Sequence, residues 1–344
     1  MPDAATNSGR RCGDISAGPS ATPYPRDVPS CAELAGVERR PTGRGASCVV
    51  RSCVYIGRAR MNGNVKWRWV ILPLFLFVIV PIVARRTAYS MVEKNGLISR
   101  PVGPETPATY GVPFTRVVIP RGSYHLDGVM TKISDRAPLV VIFHGSAESV
   151  SYWADVQALL YKAGISSYVF DYSGFGNSGG DRKATVIAED VKQAWRDAAI
   201  QFPYAQRRIA LAYSLGSGFL VSEFPSLVPE PQGLALVAAY SSAREAAVAF
   251  GTIPAWAEPV LPNLWNTVEN IAAVHVPLLV VHSDADQIFP MSMPRRIFAA
   301  ANDPKSFVRV HGYRHEDGHI RPDGTFWAGV MTFAESGHLP QSSF

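Results

Sequence analysis

Ser214 stands in Ala212-Tyr213-Ser214-Leu215-Gly216-Ser217-Gly218, after the apolar run Arg208–Tyr213 and before a helical stretch. A serine at a sharp strand-to-helix turn becomes an exposed nucleophile only if its neighbours are small, because the turn presses backbones together and strains the serine itself. Ala212, Gly216 and Gly218 meet that need, with Ala212 where the usual G-x-S-x-G pattern has its first Gly. The turn also puts Ser214 at a helix N-terminus, where free N–H groups and the dipole favour developing negative charge.

A hydroxyl nucleophile needs a base, and the base needs an orienting carboxylate. The run Leu278–His282 leads into Asp284 and Asp286, and Phe307–Val310 leads into His311, His315 and His319. The residues alone leave the choice within each set open. His311 and His315 have the i,i+4 spacing that suits a metal on a helix, but Gly312 and Gly318 argue for a loop, so no metal site is expected. A third run, Leu139–Phe143, ends in His144-Gly145-Ser146-Ala147, where Gly145 allows close backbone approach to a ligand.

The elements that must position these groups read as alternating strands and helices. Strands are expected at 116–120, 139–143, 167–171, 208–213, 234–239, 278–282 and 307–310. Helices are expected at 151–163, 184–201, 216–224, 291–301 and 325–335. Apolar strands separated by helices predict an α/β fold with a mostly parallel central sheet covered on both faces.

These segments, in this order, resemble the α/β-hydrolase superfamily over about residues 110–344, most closely the short-cap serine hydrolases related to monoacylglycerol lipases and prolyl aminopeptidases. The stretch 277–290 is similar to the family's H-G-x-x-D-x-x-x-P turn with Ser283 in place of Gly, which implies Asp286 as the acid. The final loop resembles G-x-x-H-x-D through Gly312, His315 and Asp317, which implies His315 as the base, with His319 as fallback. The order Ser214, Asp286, His315 is the family's order. The resemblance implies oxyanion donors at the N–H groups of Ser146 and Leu215, with His144, Gly145 and Gly216 in support. Asp171, in a D-x-x-G-x-G-x-S turn, is implied to tie a loop. The cap would lie in 241–275, too short for a large lid. The implied chemistry is ester hydrolysis through an acyl-enzyme, without metal or organic cofactor. A small-molecule ester or lipid is the implied substrate; a peptidase or thioesterase is the alternative, and a membrane-tethered, non-catalytic binding protein is the rival from another class. Ser214 excludes the branches that use an Asp nucleophile.

The net charge of +5 belongs mostly to the first 60 residues, which hold nine of the 33 basic and five of the 28 acidic residues. The rest is nearly neutral, so no nucleic-acid surface is expected. All four cysteines (Cys12, Cys31, Cys48, Cys53) also lie there, with no zinc spacing. Residues 1–60, rich in Gly, Ala, Ser, Pro and Arg, are expected to be disordered, with a natural start near Met61. The apolar run Trp69–Ala84, flanked by Lys66, Trp67, Arg68, Arg85, Arg86 and Tyr89, predicts a single-pass anchor at 67–86. A core helix and a cleaved signal peptide, which would make the protein secreted or periplasmic, compete with that reading; Arg85-Arg86 argues against cleavage. Four prolines between 101 and 113 make 87–114 an expected linker, with 115–344 as the catalytic domain. Basic residues at both ends leave the orientation unassigned, and no feature assigns an oligomeric state.

Overall fold

The computed structural model describes residues 73–344. The expectations for residues 1–60, the start near Met61, and the flanking Lys66, Trp67 and Arg68 lie outside the described residues, as does the beginning of the apolar run.

Helix α1, Phe75–Gly96, is long and apolar enough to cross a membrane. Its side chains from Phe75 to Val83 are largely exposed. The helix does not stop at Arg85-Arg86. It runs on through residues 87–96, roughly 15 Å further. This corrects the linker reading of 87–114: no helix breaker stands between Ala84 and Gly96, and Val92 and Leu97 become buried against the α/β domain. Glu93 accepts the N–H of Ala184 at 2.7 Å, and Leu97 O accepts from Arg182 at 3.2 Å. Residues 97–114 are non-helical apart from a short turn at Pro107–Tyr110, but they too are tied down, with Gly103 N–H donating to Ser151 at 2.8 Å.

Eight strands form one sheet: β1 Thr115–Arg121, β2 Tyr124–Thr131, β3 Leu139–Phe143, β4 Ser166–Phe170, β5 Arg208–Tyr213, β6 Gly233–Val237, β7 Leu278–Ser283 and β8 Lys305–Val310. Their order is β1-β2-β4-β3-β5-β6-β7-β8. β2 pairs antiparallel with β1 and β4; all other pairs are parallel. The fold is therefore α/β with a mostly parallel sheet. Between the strands lie α2 Ala154–Lys162, α3 Ala184–Gln201, α4 Leu215–Glu223, α5 Ala243–Ala249, α6 Thr267–Asn270 and α7 Ser292–Ala300, with α8 Asp317–Ile320 and α9 Gly324–Ser336 closing the chain.

Alternation along each strand builds two cores. Leu139, Val141 and Phe143 of β3 face one side, with Trp195 of α3 and Phe219 of α4. Val140 and Ile142 face the other, with Trp153 and with Trp327 and Phe333 of α9. Each such buried side chain contributes roughly 1.5–3 kcal/mol. Because β3, β5, β7 and β8 are parallel, their C-terminal ends share one edge, and there the residues singled out by sequence converge.

Candidate active site

Ser214 follows β5 directly and takes φ 49°, ψ −114°. Such a positive φ at a non-glycine costs of order 1–3 kcal/mol and persists only where surroundings over-determine it. Here Ser214 N–H donates to Val237 O at 3.0 Å, and Ser214 O accepts from Ser217 N–H at 3.0 Å. The first turn of α4 packs directly on the end of β3: a Cβ at Gly216 would overlap the Phe143 carbonyl oxygen, and one at Gly218 would overlap the Tyr240 hydroxyl. Gly216→Ala is expected to cost about 3 kcal/mol, since backbone rather than a flexible side chain must yield. A calorimetric Tm lower by roughly 6–12 °C is the expected reading.

The imidazole of His315, in the loop after β8, lies with Nε2 2.9 Å from Ser214 Oγ and Nδ1 2.7 Å from Asp286 Oδ2. Ser214 and His315 are 7% and 6% exposed, so this chain of hydrogen bonds is shielded from competing water. The loop is held at several points. His315 N–H donates to Gln287 at 3.0 Å, Tyr213 donates its hydroxyl to His315 O, and the Phe289 ring meets the imidazole edge-on at 5.0 Å.

Asp286, just past β7, accepts the N–H groups of Ile288 at 2.8 Å and Phe289 at 2.9 Å on Oδ1. That leaves Oδ2 aimed at His315. Burial pushes the Asp286 carboxyl up, but the hydrogen bond and charge of His315, with the Phe289 N–H, outweigh it and hold the carboxyl below its ordinary range. His282, buried beside it with Nε2 3.7 Å from Asp286, is pushed down by burial; its Nε2–H donates to Phe289 O at 3.0 Å. The competing Asp284 belongs to another network: it accepts from Gly312 N–H at 2.9 Å, His311 at 2.6 Å and Arg309 at 2.9 Å. Those partners, the Gly312 N–H first, hold its carboxyl far below the usual range.

The three histidines thus separate: His311 with Asp284, His315 between Ser214 and Asp286, and His319 buried in the pocket beside Trp153, ring centroids 6.0 Å apart. No group of side chains suited to a metal occurs among the described residues.

The loop after β3 brings Gly145 and Ser146 beside Ser214; a Cβ on Gly145 would lie 3.3 Å from Ser214 Cβ. The N–H groups of Ser146 and Leu215 have no hydrogen-bond partner among the described residues, which leaves both able to receive an anionic oxygen. His144 is fully buried and braces the loop base, with Nδ1 2.8 Å from Gly145 O and Nε2 3.5 Å from Asp171. Asp171 in turn accepts Val150 N–H at 2.9 Å, a tie between loops as expected.

Sequence reasoning missed Glu148. It is 4% exposed, and its Oε2 accepts Gly145 N–H at 2.8 Å and Trp153 Nε1–H at 2.9 Å. It missed Tyr213, Gln287 and Phe289 as supports of His315, and the end of α1 as a pocket wall. The one available signal was Glu148 itself, a charge in the loop three residues after Gly145.

Ser214 and His315 open into a cavity of about 470 Å³ lined mainly by apolar side chains, within the range of small-ligand sites. One wall is α5, whose Ala243, Ala246 and Ala247 share a helical face and leave space by being small. Tyr240, Phe250, Trp265 and Phe289 also border the cavity.

The model of the family described as serine aminopeptidase, S33, matches residues 134–269. That range holds the Ser146 loop and Ser214 and ends before Asp286. An uncharacterised protein of Mycobacterium tuberculosis strain H37Rv is 31% identical over 52% of this chain; the match spans only 63% of that protein's length. A monoacylglycerol lipase of Mycolicibacterium smegmatis is 26% identical over 55% of this chain and 84% of its own. An esterase of Pyrococcus furiosus has a structure of TM-score 0.57 and 17% identity over 69% of this chain and 97% of its own. The esterase domain of a Rhodothermus marinus protein gives 0.50 and 18%, over 65% and 98%. These solved structures share the fold.

Proposed function

We propose that this chain, a member of the α/β-hydrolase superfamily and a hydrolase of esterase and lipase type, is a serine hydrolase that cleaves carboxylic esters with lipophilic acyl groups. The observation that carries the reading is the unbroken line from Ser214 Oγ through His315 to Asp286, at 2.9 and 2.7 Å.

In this reading Asp286 accepts the Nδ1–H of His315, so Nε2 is free to take the Ser214 proton as Oγ attacks the ester carbonyl. The N–H groups of Ser146 and Leu215 receive the oxyanion; one such donor is worth about 3–4 kcal/mol in related chemistry. The tetrahedral intermediate collapses, the C–O bond to the alcohol breaks, and His315 returns its proton to the leaving oxygen. Water, deprotonated by His315, then attacks the acyl-enzyme and releases the acid. The apolar lining of the cavity supports an acyl chain, and α1 supports a single-pass membrane anchor.

An active-site-directed fluorophosphonate is expected to label the folded wild-type protein and not Ser214→Ala. p-Nitrophenyl esters of graded chain length are expected to be cleaved, with a preference for longer acyl groups. The family description favours a second reading, an aminopeptidase; cleavage of aminoacyl amides with a null ester profile would replace the first reading by that one. A folded wild type that takes no label would instead be a binding protein.

A further inference from the structure

The end of α1 and the residues after it do more than connect an apolar helix to a domain. Met91, Val92, Asn95 and Ile98 line the same cavity as Ser214 and His315. Val92 is 7% exposed and packs in a cluster with Tyr240, Ala243, Ala246, Phe289 and Met293, so the helix end is fixed against the α5 wall rather than resting loosely on it. The same segment also grips the Ser146 loop. Ser146 Oγ donates to Gly96 O at 2.6 Å and accepts Ile98 N–H at 3.2 Å. Ala147 N–H donates to Ile98 O at 2.7 Å.

That grip answers a local problem. Ala147 has φ 58°, the left-handed region that an alanine adopts only under constraint. On its inner side the loop is held by Glu148, through Gly145 N–H. On its outer side the constraint comes from Gly96 and Ile98. The backbone that must present the Ser146 N–H to an oxyanion is thus trussed from two sides, and one of them is the anchor helix. Preorganisation of such donors is what makes them effective, because no reorientation is left to do during reaction.

We infer that Met91–Ile98 is a working part of the active site: its apolar side chains form the wall against which the acyl chain of the substrate lies, and its backbone positions the oxyanion loop through Ser146. This rests on the serine-hydrolase reading above. The specificity element is the wall of Met91 and Ile98; Ser146, through its hydroxyl, is a positioning residue, separate from the role of its N–H.

The two roles separate experimentally in the full-length protein, purified in detergent, with active sites counted by fluorophosphonate titration so that partial unfolding does not enter kcat. Met91 and Ile98 are 53% and 47% exposed, so a carboxylate at either position is tolerated by the fold but lies in the acyl path. Met91→Asp and Ile98→Asp are each expected to lower the ratio of kcat/KM for p-nitrophenyl decanoate over acetate at least about tenfold. Lys94→Asp, on the same helix but off the cavity wall, is expected to keep the wild-type ratio. Ser146→Ala keeps the N–H and loses both hydroxyl bonds; kcat on the acetate ester is expected to fall about tenfold with KM within about twofold, and Ser146→Thr to recover most of it. A decanoate-to-acetate ratio unchanged in both aspartate variants, or a Ser146→Ala kcat equal to wild type, overturns the inference while leaving Ser214 labelling intact. A folded wild type without labelling removes the serine-hydrolase reading and this inference with it.

Discussion

Ser214→Ala and His315→Ala are each expected to lower kcat on a p-nitrophenyl ester by about 10⁶-fold, and the double variant to lower it no further. In the serine-hydrolase reading the hydroxyl and the imidazole act as one device. Without His315, Oγ attacks as a neutral alcohol and a proton accumulates on it; without Ser214, His315 has no nucleophile to activate. The remaining rate is that of bound water near the Ser146 and Leu215 N–H groups, a residual of about 10³–10⁴ over solution. Independent contributions would multiply instead. His319→Ala is the informative control, because His319 also lines the cavity. Its ring stacks on Trp153, with Nε2 3.7 Å from Glu148, and it makes no hydrogen bond to Ser214. Its loss is expected to cost far less than that of His315. Steady-state and single-turnover kinetics check this; a multiplicative double variant, or His319→Ala as damaging as His315→Ala, would move the base away from His315.

Much of the site was legible because its parts carry local signatures. Five of the eight strands are short apolar runs, and the parallel sheet that they imply brings the ends of β3, β5, β7 and β8 to one edge. The elbow was legible because steric demand at Gly216 and Gly218 leaves a mark in composition. β2 was not legible. Its Tyr124–Thr131 contains His125, Asp127 and Gly128, and reads as a loop; it is a strand because Arg116 on β1 neutralises Asp127 at 3.2 Å, and because a Cβ on Gly128 would come 3.0 Å from Val169 O on β4. Both reasons are tertiary. The prolines at 101, 104, 107 and 113 suggested a linker over 87–114, but residues 87–96 continue α1, since Val92 and Leu97 are buried by partners more than forty residues away in sequence. Glu148 was overlooked for a different reason: its partners, Gly145 N–H and Trp153 Nε1–H, are close in sequence, but the turn that aims them at one carboxylate leaves no periodic signature.

Asp286→Asn is expected to lower kcat by about 10⁴-fold, with little change in Tm, whereas Asp284→Asn is expected to leave kcat within about twofold. The geometry gives the direction of the defect. Oδ1 of Asp286 accepts two backbone N–H groups, from Ile288 and Phe289. An Asn at 286 must therefore keep its carbonyl oxygen at that position to satisfy the turn, which places its NH₂ against His315 Nδ1. Nδ1 then has to accept rather than donate, the imidazole proton moves to Nε2, and Nε2–H faces Ser214 Oγ. In that tautomer the ring cannot take the serine proton, although the turn, the packing and the Nδ1 hydrogen bond all survive. The carboxylate also stabilises the imidazolium formed during attack, and the neutral amide does not. Asp284 faces Arg309, His311 and Gly312 instead, so its replacement disturbs the loop between β8 and α8 from outside without reaching His315 Nδ1. Measured kcat and Tm for the two variants side by side decide the matter: a large loss at 284 with little at 286 would exchange the roles of the two acids and require a different path from imidazole to carboxylate.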